Sequence, residues 1–176
     1  MRKLQIGVIG SAGWEEYPMK KPDKNAYQVA YEAGELIAKN NAVLVCGGKG
    51  GIMESACKGA KENGGITVGI ISGNRRDQAN KYVDVEIVSG TINCSEESLI
   101  VSMSDGIIAI GGGSGTLQEI ATAYRNKKPI VSIKGIKGWA ERLANTYLDE
   151  RRLIKISVAD SAKSAMSLLL KKINML

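Results

Sequence analysis

The stretch GIIAIGGGSGTLQEI, running from Gly106 to Ile120, decides the fold. Its first five residues form an uninterrupted apolar run containing three isoleucines, the pattern of a strand buried on both faces of a parallel sheet. Three glycines break the run, and Leu117, Ile120, Ala121 and Tyr124 then recur at helical spacing. Strand, glycine turn and helix make one βα unit. The same grammar appears at Leu4 to Ile9, which runs into Gly10-Ser11-Ala12-Gly13, and at Ala42 to Cys46, which runs into Gly47-Gly48-Lys49-Gly50-Gly51. Four more short runs, Ile66 to Ile71, Val83 to Val88, Pro129 to Ile133 and Lys155 to Val158, read as strands.

Between the strands lie further apolar stripes: Ala26, Val29, Ala30, Ala33 and Ile37; Leu99, Ile100 and Met103; Ala140, Leu143, Ala144 and Tyr147; and Ala162, Ala165, Met166, Leu169 and Ile173. The alternation predicts an α/β, Rossmann-like domain over residues 1–176. It is an open, mostly parallel sheet of about seven strands with helices on both faces. The connection Ser72 to Lys81, SGNRRDQANK, has no apolar stripe and falls short of the dozen or so residues of a helical crossover. The Val83 to Val88 strand is therefore expected at an edge. A return across the sheet would bring the Gly106 to Ile110 strand beside the first, a topological switch point where ligands of open α/β sheets gather.

Composition removes many chemistries. The 176 residues include no histidine, so Ser-His-Asp triads, His-activated thiols and HExxH zinc sites are excluded. Cys46, Cys57 and Cys94 form no CxxC pair, which suggests neither a disulfide framework nor a metal site and fits a reducing, cytoplasmic setting. No apolar run is long enough for a membrane span. The net charge of +6 is spread over scattered basic doublets, and with 5% aromatic residues a nucleic-acid surface is not indicated.

Glycine-rich turns at strand ends let backbone N–H groups approach a phosphate, and the following helix start adds favourable partial charge. They also simply make tight turns. None of the three is a Walker A loop, since Lys49 is followed by Gly50, and the first strand lacks GxGxxG, so P-loop hydrolysis and dinucleotide-dependent dehydrogenation are both disfavoured. The candidate ligand-binding residues are Gly10, Ser11, Gly13, Gly47, Gly48, Gly50, Gly51, Gly111, Gly112, Gly113, Ser114, Gly115, Thr116 and Glu119. Two roles fit Glu119: an ionised acceptor for a ligand hydroxyl or ring N–H, or the partner of Thr116 in a capping box. Glu54 is a secondary candidate, with a helix-start role as its alternative. Arg75 and Arg76 could clamp a phosphate, Trp14 and Trp139 could stack on a ring, and Cys94 reads as passive.

The segments GGKGGIMESACKGAKENGGITVGI and IGGGSGTLQEI resemble the GGGxxGLM and PGGxGTxxE stretches of the Lonely Guy proteins, phosphoribohydrolases formerly called lysine-decarboxylase-like. GVIGSAG, YVDVEIVSG and KPIVSIKGIKGW bring the chain closer to the molybdenum-cofactor carrier branch, and DNA-processing protein A shares the Rossmann-like core. The resemblance implies a carrier or binding protein for a nucleotide or phosphorylated heterocycle, molybdenum cofactor among them. It also implies a homo-oligomer with a small-molecule partner. The alternative it implies is a nucleoside 5'-monophosphate phosphoribohydrolase with Glu119 as the catalytic group. The family's Pro before the glycines is Ile110 here, and its Arg about fifteen residues upstream falls on Cys94-Ser95-Glu96-Glu97-Ser98. No Arg or Lys lies between Lys81 and Arg125.

Overall fold

The computed structural model describes residues 2–12, 24–90 and 96–175. Seven strands, β1 (Gln5–Gly10), β2 (Val43–Cys46), β3 (Ile66–Ile71), β4 (Val85–Val88), β5 (Gly106–Ile110), β6 (Ile130–Ile133) and β7 (Ser157–Ala159), form one sheet in the order β4-β3-β2-β1-β5-β6-β7. Every neighbouring pair is parallel. The helices are α1 (Lys24–Lys39), α2 (Ile52–Glu62), α3 (Glu96–Met103), α4 (Ser114–Arg125), α5 (Trp139–Arg142) and α6 (Ala162–Ile173). β4 lies at one edge and β1 pairs with β5 through Ile6 opposite Gly106 to Gly10 opposite Ile110, both as the sequence predicts.

The period of two along each strand sorts the core into two layers. Val8, Leu44, Cys46, Ile108 and Val131 pack under α1, α2 and α6. Ile9, Val45, Ile107, Ala109 and Ile130 pack under α3, α4 and α5. Glycines allow α1 and α2 to touch backbone to backbone, because a Cβ on Gly34 would overlap the Ala56 carbonyl and one on Gly59 the Tyr31 carbonyl.

One helix departs from expectation. The stripe through Ala140, Leu143, Ala144 and Tyr147 yields only the single turn α5, which ends at Arg142 with Leu143 as its C-cap. Asn145 takes a left-handed conformation at φ 63°, its N–H donates to Ile156 O at 2.8 Å, and Ile156 N–H donates to Thr146 O at 2.9 Å. The backbone finds its partners in the segment before β7, and Tyr147 is left exposed.

Candidate functional site

The connections leaving β1 and β5 pass to opposite faces of the sheet, so a crevice opens at their carboxyl ends, between the starts of α2 and α4. Ser11 ties the three glycine turns together there. Its carbonyl accepts from Ile52 N at the start of α2 (3.0 Å), and its hydroxyl accepts from Gly112 N in the turn after β5 (3.2 Å). Among the described residues, neither α2, whose N-cap is Gly51, nor α4, whose N-cap is Gly113, has a side-chain cap on its first-turn N–H groups. Two helix starts with backbone donors thus face one crevice.

The glycines divide by what they are needed for. Gly48, Gly51, Gly111 and Gly112 have φ of 63°, 68°, 62° and 89°, so the turns themselves require them. A Cβ on Gly10 would strike the Ile110 carbonyl, and one on Gly47 would lie 3.0 Å from Met53 Sδ. Gly113 is different: its φ is −99°, and a Cβ there would meet none of the described residues within 4 Å. For Gly115 the only such neighbour among the described residues is Glu97 Oε1 at 3.9 Å. Among the described residues nothing demands a glycine at either position, and both are exposed beside Ser114. Gly50 lies in the bend before α2, while Gly13 and Trp14 fall outside the described residues, as does Cys94.

The capping-box role of Thr116 and Glu119 is overturned. Helix α4 begins at Ser114, which puts Thr116 in its first turn and Glu119 in its second, and both side chains are buried. Glu119 is 8% exposed and has no hydrogen-bond partner among the described residues. Burial, and then the charges of Glu97 and Glu96, push its carboxyl well above the usual carboxylate range. That environment opposes the charged form on which the expected acceptor role depends. Glu54 is half-buried in the first turn of α2.

The sequence reading missed Asn80. Its backbone N–H donates to Gly48 O (2.8 Å), and its Nδ2 donates to Gly48 O (3.0 Å) and Lys49 O (2.9 Å), so the polar connection before β4 fastens the second glycine turn. Nothing local marks it, because the partners lie more than thirty residues away in sequence. Arg75 and Arg76 are exposed on the same connection. Trp139 is half-buried with the Arg142 guanidinium 5.1 Å from its ring centroid, and the Trp139 backbone N–H donates to Gly112 O at 3.0 Å. Cys46 and Cys57 are buried free thiols with sulfurs 3.5 Å apart; their mutual hydrogen bond and burial push the Cys46 thiol up, which keeps it unreactive. A groove of about 530 Å³ runs along β7 and α6, but its Asp160 and Ser164 are engaged in capping α6.

A family model matches residues 3–166, nearly the full chain. The chain belongs to the SLOG cluster4 family. A cytokinin riboside 5'-monophosphate phosphoribohydrolase of Mycobacterium tuberculosis is 30% identical over 155 residues, covering 79% of this chain and 82% of that protein. Among solved structures, the molybdenum cofactor binding protein of Rippkaea orientalis is 32% identical with a TM-score of 0.82, covering 98% of this chain and 99% of that one. The molybdenum cofactor carrier protein of Chlamydomonas reinhardtii is 30% identical with a TM-score of 0.81, covering 99% and 100%. The Rossmann-like architecture and the likeness to both branches agree with the sequence reading. No helix among the described residues is long and apolar enough to cross a membrane.

Proposed function

We propose that this SLOG cluster4 protein binds a phosphorylated heterocycle, a nucleotide or a pterin of the molybdenum-cofactor kind, in the crevice between the starts of α2 and α4, and carries it without chemical change. The observation that carries the reading is Gly113. It is the N-cap of α4, its φ is one that any residue adopts, and no described atom would meet a Cβ there, so its value lies in letting a ligand approach the backbone. The two molybdenum-cofactor proteins support the ligand class. Gly10, Ser11, Gly47, Gly48, Gly50, Gly51, Gly111, Gly112, Ser114, Gly115 and Thr116 build the walls. Ser11 Oγ and the Gly112 N–H are already spent on each other, so they shape the seat and leave ligand contact to the neighbouring N–H groups.

A phosphoribohydrolase is the second reading, favoured by the Mycobacterium tuberculosis relative. Against it, α3 and α4 up to Tyr124 carry no Arg or Lys to hold a departing phosphoribosyl group, and the burial of the Glu119 carboxyl and the charges of Glu97 and Glu96 oppose its ionised form. Native mass spectrometry of the protein purified without additives, together with chromatography of AMP incubated with it, tests the choice. Retention of an intact phosphorylated heterocycle and no free adenine is expected; adenine release abolished in Glu119→Ala would establish the hydrolase.

A further inference from the structure

The connection from Ser72 to Lys81 leaves β3 at the same end of the sheet as the three glycine turns. It has no apolar stripe to bury, yet its backbone is anchored at several points. Asp77 N and Gln78 N donate to the two carboxylate oxygens of Glu86 on β4 at 2.9 and 3.0 Å, and Gly90 N donates to Gly73 O at 2.9 Å. Asn80 ties the far end to Gly48 and Lys49 of the second glycine turn. Between these anchors stand Arg75 and Arg76, both exposed. Neither they nor the exposed Lys49 takes part in an ion pair among the described residues. Glu86, the carboxylate that touches this connection, already serves the two backbone N–H groups. Arginines on a polar connection are ordinarily just solvated. Here the backbone that carries them is fixed beside a wall of the crevice, which lowers the ordering cost of a clamp. The opposite side has no such charge, because no Arg or Lys lies between Lys81 and Arg125.

We infer that Arg75 and Arg76 form a fixed two-guanidinium arm that grips the phosphate of the ligand from the β3 side of the crevice, with the Lys49 ammonium adding charge. This rests on the proposed function and names the side chains that read the phosphate. The helix-start N–H groups supply partial charge, and the guanidiniums supply full charge and paired N–H donors matched to phosphate oxygens. The crevice thereby selects phosphorylated heterocycles over the same rings without phosphate.

Calorimetric titration with GMP, AMP and a pterin monophosphate, each beside its phosphate-free counterpart, tests the assignment. The proteins compared are the parent, Arg75→Gln/Arg76→Gln and Arg75→Lys/Arg76→Lys, with thermal melting to verify folding. The parent is expected to bind the phosphorylated member of a pair about tenfold or more tighter. In the Gln double variant that preference should shrink to roughly threefold or less while the phosphate-free compound binds as before. The Lys double variant keeps the charge without the planar fork and should fall between. Added salt should weaken phosphate binding less in the Gln double variant than in the parent. A phosphate preference unchanged in the Gln double variant, or equal losses for phosphorylated and phosphate-free compounds, would overturn the arm and leave the crevice standing. Failure of every probe to bind the parent would overturn the crevice proposal as well.

Discussion

Glu119 is a group whose environment opposes its charge. In the unfolded chain its carboxyl ionises in the ordinary range, whereas in the folded protein burial and the charges of Glu97 and Glu96 raise its pKa. Between those two values the folded state binds the extra proton, so stability falls as pH rises through that window and levels off above it. Glu119→Gln keeps the shape without the ionisation. Its melting temperature should exceed the parent's at pH 7 and converge with it near pH 4, each kcal/mol being worth roughly 2–4 °C in a chain of this size. Thermal melts across pH check this, and a parallel offset at every pH would contradict it. Gly113→Val puts a side chain into the open approach without straining the turn. Ligand affinity should drop about tenfold or more with melting nearly unchanged; unchanged calorimetric affinity would make the glycine a structural accident.

Elements here are held in place by contacts that remove a side chain or share a backbone group. α1 and α2 meet at Gly34 and Gly59, where each would-be Cβ lands on a carbonyl of the facing helix. Gly34→Ala and Gly59→Ala should each cost about 1–3 kcal/mol, read as a lower urea midpoint, since the helices must separate. The turn after β2 is fastened from outside by Asn80. Asn80→Ala leaves the Gly48 and Lys49 carbonyls without its amide, and the mobility of the glycine turn should rise. Faster amide exchange at residues 48–51, with α6 unaffected, is the expected signature.

At the scale of the whole molecule, the all-parallel order β4-β3-β2-β1-β5-β6-β7 brings three glycine turns to the same end of the sheet, where the proposed site lies. A ligand held across the crevice touches turns from β1, β2 and β5 together, so binding should stabilise the sheet as a unit. At one hundred times its dissociation constant a ligand adds about 2.7 kcal/mol, and a single cooperative melt should move upward by several degrees. A shift restricted to one phase would show that the site belongs to only part of the fold.

The sequence by itself determined the elements and their order. Buried parallel strands must be continuously apolar, and glycine must mark strand-to-helix turns, so all seven strands were legible to within two residues, as was the edge position of β4 from its unhelical connection. Local chemistry also marked the glycine turns and Glu119. What tertiary structure decided was everything set by partners distant in sequence. Ile156 ends α5 early. Ser11 bonds to Gly112 across 101 positions, and Asn80 bonds to Gly48 across 32. Burial and the charges of Glu97 and Glu96 act against the ionised form of Glu119, and the N-cap of α4 is Gly113, so the capping box that the sequence also allowed does not form. Periodicity reports which way a side chain faces along its own element; charge state and hydrogen-bond partners depend on what packs against that face, and only the closed sheet supplies those neighbours.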